Sequence, residues 1–378
     1  MAEHGIRVRL QQDGPIPLDA ELDCAPGEVL ALVGPSGSGK TTILRAIAGL
    51  LRVRHGAIHC HGDCWFDDER LVWVETRRRR VGYVFQSYAL FPHLSALHNV
   101  MEAMLDRPAA GRERRARDVL TRVRLSGLEN RVPAALSGGQ QQRVAVARAL
   151  AREPRVLLLD EPFSAVDRAT RQRLYYELAE LRRELAMPMI LVTHDLDEAL
   201  MLSDRMCVLH QGRTLQVGEP HAVMTRPQTV EVAQLVGLRN VFRAGVIEHD
   251  TARGVTVIEW RKHRLDARLQ PDFAVGRQVT WGIPQGHIVL HRRDRPSRGE
   301  RENPVSGTVL EYLPLGENVA LTVAVNGPTR PPLFLTVPAH TARRNSIAQG
   351  AEIGVSLLAE GIHLMSADEP RTPRRNEP

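Results

Sequence analysis

Aromatic side chains are scarce in this chain. Phe, Trp and Tyr make up 4% of its 378 residues, a low share for a globular protein, and residues 1 to 30 contain none of them. Cysteine occurs at four positions only, Cys24, Cys60, Cys64 and Cys207. That is too few for a disulfide framework at this length and fits a reducing compartment. No apolar run approaches the roughly 20 residues that cross a bilayer as a helix, and the opening MAEHGIRVRLQQ lacks the apolar segment of a secretion signal. These absences lead us to expect a cytoplasmic protein. The excess of positive charge is modest, +6, and apart from Arg77 to Arg80 the basic residues are dispersed, which argues against a nucleic-acid-binding surface.

What is present is an ordinary globular composition, 43% hydrophobic and 25% charged, in a chain long enough for two or three domains. Residues 1–235 alternate short apolar segments (VLALVG, RVLLLDEP, MILVTHD) with helical ones (TTILRAIAGLL, RQRLYYELAELRREL). That order implies a largely parallel sheet covered by helices. From 241 the pattern changes to short alternating segments broken by Gly, Pro and Asn, such as VTVIEW, QVTWGI, GTVLEYL and ENVALTVAV, which read as all-β. The polar stretch HRRDRPSRGEREN divides this half into two β units, 241–293 and 302–366, and residues 367–378, rich in Pro and charge, read as a loose tail.

Two motifs carry phosphate chemistry. Gly34, Pro35, Ser36, Gly37, Ser38, Gly39, Lys40 and Thr41 fit G-x-x-x-x-G-K-[ST] between a strand and a helix, with Thr42 next in line. Glycines let backbone N–H groups close around a β-phosphate, Lys40 brings a point charge, and Thr41 offers a hydroxyl to Mg²⁺. Further on, the strand Val156-Leu-Leu-Leu ends in Asp160 and Glu161. One acid would hold the metal and the other would polarise the attacking water. ATP and Mg²⁺ are therefore the expected substrate and cofactor.

Between them, Leu136 is followed by Ser137, Gly138, Gly139 and Gln140 at the start of a helical run. Here the chain resembles the ABC transporter ATPase family, whose signature is LSGGQ. A capping serine alone would explain neither glycine. Gln86 after VGYVF, Asp167 after the second acid and His194 after MILVT also match the family. The resemblance covers residues 5 to 235 and implies an α/β P-loop NTPase, an ABC nucleotide-binding domain with a helical subdomain. It further implies a head-to-tail homodimer in which the signature receives the γ-phosphate held by the opposite subunit. On it, Glu161, His194 and Gln86 are the catalytic candidates, Thr41, Gln86 and Asp160 the metal candidates, and Asp167 an interface residue. The family pattern places an adenine-stacking aromatic ahead of Lys40, where this chain has none.

The segment Arg79 to His93 looks like the importer branch that carries oxyanions, iron or polyamines, with Tyr88 to His93 facing a permease. Trp65-Phe-Asp-Asp and Leu313-Pro-Leu-Gly-Glu317 resemble molybdate importer ATPases most, with sulfate importers, then iron(III) or polyamine importers, as alternatives. The resemblance implies integral-membrane permease subunits, a solute-binding protein outside, and peripheral attachment to the cytoplasmic face of the inner membrane. The C-terminal β region resembles small OB-like, TOBE-like anion-binding domains, but Glu300 and Leu358-Ala359-Glu360 stand where anion-binding residues are expected. Acid there would repel an oxyanion, so a dimerising or regulatory role without bound anion is expected. His59, Cys60, His61 and Cys64 are metal-ligand types at close spacing, but strand alternation would separate them, and surface or packing roles are preferred. A DNA-repair or translation ABC ATPase fits less well, because Gly34 and Ser137 are only about a hundred residues apart and the chain has one cassette. An exporter subunit is a further alternative.

Overall fold

The computed structural model describes residues 5–14, 16–105, 108–164, 166–291 and 302–366. The chain divides into two compact units, Met1–Pro220 and His221–Pro378. The strands of the first unit are β1 (Ile6–Gln12), β2 (Leu18–Cys24), β3 (Val29–Val33), β4 (His55–Cys60), β5 (Asp63–Asp67), β6 (Val72–Trp73), β7 (Val81–Val84), β8 (Val156–Asp160), β9 (Met189–Thr193), β10 (Arg205–His210) and β11 (Arg213–Gly218). They form one sheet in the order β6-β5-β4-β1-β2-β11-β10-β3-β9-β8-β7. Its helices are α1 (Lys40–Ala48), α2 (Ala96–Met101), α3 (Ala109–Arg122), α4 (Gly138–Leu150), α5 (Arg168–Arg183) and α6 (Leu196–Leu202).

The two halves of this sheet differ in sequence because they differ in cover. β1 and β2 pair antiparallel and alternate buried and exposed residues along their whole length. β3, β9, β8 and β7 pair parallel, and β3, β8 and β9 are buried at every position. Continuous apolar runs are what a parallel strand needs when both faces are covered. Leu157, Leu159 and Leu191 join a core with α2, α3 and α4, while Leu158, Ile190 and Val192 join a second core with α1, β1 and β2.

The arginine run splits. Arg77, Arg78 and Arg80 are exposed, but Arg79 is 0% exposed. Its guanidinium donates to the carbonyls of Ala46 (2.7 Å), Ile47 (2.9 Å), Val74 (2.7 Å) and Trp65 (3.2 Å), and it lies 4.6 Å from the Trp73 ring centroid. A cation on the last carbonyls of α1 is favourable to the helix dipole. Burial nevertheless pulls the Arg79 pKa down to about 10. Arg79→Ala would strand these buried acceptors, at a cost of about 3–5 kcal/mol. The expected result in a thermal melt is a Tm lower by roughly 10 °C; a change under about 1 kcal/mol would contradict this account of Arg79.

The second unit carries α7 (Pro220–Thr225), whose first residue closes the first unit, then α8 (Val230–Leu235), β12 (Val241–Asp250), β13 (Val255–Trp260), β14 (His263–Arg268), β15 (Gln278–Gly282), β16 (Ile288–Leu290), β17 (Pro304–Leu315), β18 (Asn318–Val325), β19 (Pro332–Pro338), α9 (Ala339–Arg344), β20 (Glu352–Leu357) and β21 (His363–Ser366). Its two sheets run β14-β13-β12-β15-β21 and β16-β20-β17-β18-β19. The segments 241–293 and 302–366 are therefore not independent sheets. β16 pairs with β20 and β21 pairs with β15, so each segment lends a strand to the other's sheet around one shared core that includes Trp260 and Trp281. Alternation within a strand names its buried face but not its partner, which is why the exchange is invisible in the sequence. Glu300 and the tail 367–378 lie outside the described residues.

Candidate active site

β3, β7, β8 and β9 run parallel, so their C-terminal ends lie on one side of the sheet, where ligands of open α/β sheets bind. β3 leads into the glycine loop and α1, β7 leads to Gln86, β8 ends on Asp160, and β9 is followed by His194. In the loop Gly34 has φ 153°, and a Cβ there would come within 2.1 Å of the Leu209 carbonyl oxygen, so only glycine fits. Lys40 is buried and donates to the carbonyls of Gly34 (2.7 Å) and Pro35 (2.9 Å). Burial lowers its pKa, while Glu161 and Asp160 act in the opposite direction.

The two carboxylates have separate partners. Asp160 Oδ1 accepts from the Thr41 hydroxyl at 3.0 Å and Oδ2 from the Tyr83 hydroxyl at 2.9 Å. Glu161 Oε2 accepts from Gln86 Nε2 at 3.0 Å and lies 3.3 Å from His194 Nδ1. Glu161 itself sits at φ 44°, a left-handed conformation that costs a non-glycine residue about 1–3 kcal/mol and accumulates at functional sites. A cleft of about 60 Å³ lined by Glu161, Ser164, Arg171, Thr193, His194, Asp195 and Glu198 adjoins it, enough space for ordered water.

Tyr83 was missed by the sequence reading. Its signal was present, since it stands three residues before Gln86 on the strand that pairs with β8. Burial and the Asp160 charge push its phenol up, so it remains a donor. A second unread group is Glu198, buried on α6, which accepts from Thr193 Oγ1 (2.5 Å) and from the Tyr175 hydroxyl of α5 (3.0 Å). It ties the residue before His194 to the helix behind Glu161.

Burial raises the Glu198 pKa, against the pull of the two hydroxyls. A raised acid contributes most to stability below the ordinary glutamate value, about 4.3, and loses that contribution as pH rises through the folded value. Glu198→Gln cannot ionise. Its Tm relative to the wild type should therefore increase as pH rises above the ordinary glutamate value, about 4.3; a difference that is flat or shrinks on raising the pH from there would contradict the assignment.

The signature residues are held apart from this group. Ser137 caps α4 by accepting from Gln140 N at 3.3 Å, and the Gln140 side chain accepts from Ser137 N at 2.9 Å. A Cβ on Gly139 would meet Leu174 and Thr170 of α5 at 3.2 and 3.3 Å. The capping box and helix packing thus supply structural reasons for Ser137, Gly139 and Gln140 that the sequence reading had discounted. Among the described residues no hydrogen bond joins this segment to the phosphate loop. Asp167 caps α5 by accepting from Thr170 N at 3.0 Å. Of the segment 88 to 93, Tyr88 turns inward at 4% exposure while Phe91, Pro92 and His93 are exposed. Tyr88 and Ala89 both have positive φ, and Arg148 of α4 donates to both of their carbonyls at 2.7 and 2.6 Å.

A family profile described as ABC transporter matches residues 18–164, and one described as TOBE domain matches residues 286–365. The Fe(3+) ions import ATP-binding protein FbpC 1 of Rhizobium meliloti is 44% identical over 352 residues, 92% of this chain and 93% of the relative. The chain belongs to the ABC transporter ATP-binding proteins. It is an ATP-hydrolysing transport ATPase of importer type, a P-loop NTPase followed by an OB-like TOBE domain. The spermidine/putrescine import ATP-binding protein PotA of Roseobacter denitrificans is 39% identical over 348 residues, 91% of this chain and 92% of the relative. The sulfate/thiosulfate import ATP-binding protein CysA 2 of Rhizobium meliloti is 47% identical over 262 residues, 68% of each chain. Among solved structures, cbiO1 from Clostridium perfringens, part of the ABC transporter complex cbiONQ, is similar with a TM-score of 0.52 and 28% identity, covering 63% of this ABC ATPase and 96% of that chain. The expectation of molybdate gains no support from these relatives, whose names are those of iron, polyamine and sulfate import. The TOBE match opens just before β16, the strand that joins the sheet of β17 to β20.

Proposed function

We propose that this chain energises an importer as a homodimer, attached to integral-membrane permease subunits at the cytoplasmic face of the inner membrane and served by a solute-binding protein outside. We take iron(III) as the leading solute. The observation that carries the ATPase mechanism is the convergence of Thr41, Gln86, Asp160, Glu161 and His194 beside Lys40. For the solute it is the 44% identity to an iron(III) import ATPase over nearly the full length of both chains. Sulfate is the second reading, on the 47% identity over 68% of the chain.

The residues fit Mg²⁺ and ATP. A polyphosphate brought beside two carboxylates needs a cation, and the Thr41 hydroxyl, the Asp160 carboxylate and the carbonyl oxygen of Gln86 are the hard oxygen donors that Mg²⁺ prefers. Held by those donors, Mg²⁺ would supply counter-charge to the polyphosphate. Lys40 leaves the carbonyls of Gly34 and Pro35 for the β and γ oxygens. Glu161 then orients a water in line with the γ-phosphate, with Gln86 holding the carboxylate in place.

His194 Nδ1 lies 3.3 Å from Glu161, and on the family resemblance this side chain contacts the γ-phosphate, for which it would turn off that carboxylate. Ser137, Gly138, Gly139 and Gln140, remote from this group by hydrogen bonding within one chain, present the N-terminus of α4 to the γ-phosphate of the opposite subunit.

In the second unit, Glu360 of the TOBE domain shares a cleft of about 370 Å³ with His221, Arg226, Arg268, His287 and His363. Repulsion by one glutamate is thus offset by arginine, and a regulatory role is retained without the argument from charge. The solute is tested by uptake of labelled iron(III), sulfate and spermidine in cells whose only copy is wild type or Glu161→Gln. Selective loss of iron uptake supports the leading reading, and selective loss of sulfate or spermidine uptake replaces it.

A further inference from the structure

Strand alternation is the reason to discount metal binding by the His59 to Cys64 cluster, and the β4–β5 hairpin does not alternate. His59 pairs with Cys64 and Ala57 pairs with Asp67, but the register slips between Ile58 and His59, leaving Trp65 as an extra residue in β5. A β-bulge of this kind re-aims the side chains that flank it. Cys64 and Asp67, three apart and thus on opposite faces of a regular strand, both come to the face of His59. Trp65 and Phe66 between them are buried at 3% and 1% exposure. One imidazole nitrogen of His59, the Cys64 sulfur and one Asp67 oxygen lie within 4.8 Å of one another, and all three residues are half-buried.

We propose that His59, Cys64 and Asp67 form a three-ligand site for a zinc-class divalent cation on the β4–β5 hairpin of the ATPase domain. The donor set is the argument for the class. Thiolate, imidazole and carboxylate together select a borderline-soft ion over Mg²⁺ or Ca²⁺, and three protein ligands leave a fourth tetrahedral position for water. Zinc–ligand bonds of about 2.0–2.3 Å set ligand-to-ligand edges of about 3.3–3.8 Å, so small rotamer adjustments from the present spacing suffice. The thiolate and carboxylate balance the charge of a divalent ion.

Arg79 donates to the carbonyl of Trp65, the bulge residue, and so holds the bulge in place. Burial and the Asp67 charge raise the Cys64 pKa, against a smaller pull from Arg70 and Arg79, so what favours the site is the geometry of its three ligands. Asp67 also accepts from the Arg70 backbone at 2.9 Å and lies 3.6 Å from the exposed Arg70 guanidinium, a pairing weak enough to yield to a metal. Cys60 and His61 take no part. Cys60 is fully buried on the opposite face, with its thiol pushed up to about 12, and His61 Nε2 is 3.1 Å from the Arg155 carbonyl.

The test uses the full chain, stripped of metal and free of nucleotide, titrated with Co²⁺ and then with Zn²⁺. The ATP site contains no cysteine, so a thiolate-to-Co²⁺ charge-transfer band reports this site alone. One equivalent of Co²⁺ should give that band, Zn²⁺ should displace it, and Cys64→Ser should abolish it with the melting temperature of the metal-free protein retained. His59→Ala and Asp67→Asn should each weaken binding at least about tenfold, no less than loss of an outer-shell partner. Co²⁺ binding without the band, a band that survives Cys64→Ser, or affinities unchanged in His59→Ala and Asp67→Asn would overturn the site.

Discussion

Glu161→Gln should lower the steady-state ATPase rate by about 10³-fold while leaving ATP binding intact. Removing a positioned general base costs about 10²–10⁴-fold, and a thousandfold loss corresponds to about 4 kcal/mol of barrier. Gln is isosteric, so its amide oxygen still accepts from Gln86, as Glu161 does at 3.0 Å. What it loses is the charge that we propose polarises water. The measurement is steady-state ATP hydrolysis beside equilibrium binding of ATP. Turnover within tenfold of the wild type would remove Glu161 from the catalytic role and leave the Thr41–Asp160 pair to be explained alone.

Lys40→Ala should act on the other parameter. The ammonium is buried beside both acids, and without it a polyphosphate would meet two carboxylates with one fewer counter-charge. Loss of charge-assisted hydrogen bonds worth about 1.5–3 kcal/mol each predicts ATP affinity lower by about 10²–10³-fold. Lys40 also bridges the carbonyls of Gly34 and Pro35, so the variant needs a thermal melt alongside its binding isotherm. Normal affinity in a folded variant would contradict the role. The contrast between the two variants, one lost in turnover and one lost in binding, separates chemistry from capture.

The grouping of the candidate residues was largely legible because they are consecutive or terminate strands of marked composition. VLALV, VLLLD and MILVT are buried at every position, and the residues that follow them are the ones that meet. What escaped the sequence depends on contacts distant along the chain. Arg79 stands in a run of four arginines that reads as solvated, and only the carbonyls of Ala46, Ile47, Trp65 and Val74 make its burial tolerable. Asp67 joined His59 and Cys64 through a bulge that alternation cannot anticipate. Tyr83 and Glu198 reach their partners across strands and helices, and the exchange of β16 and β21 was hidden because each strand's pattern suits either sheet. The solute was the least legible property of all: resemblance favoured molybdate, whereas the relatives are named for iron, polyamines and sulfate.

The central claim is a composite ATP site shared by two copies of this chain, and sedimentation of Glu161→Gln tests it most directly. With ATP and Mg²⁺ the variant should sediment as a dimer, and without nucleotide as a monomer. Adding Ser137→Arg should abolish the ATP-dependent dimer while each chain still binds ATP, because the arginine would enter the place proposed for the opposite γ-phosphate. A monomer at saturating ATP, or a dimer indifferent to Ser137→Arg, would contradict the account.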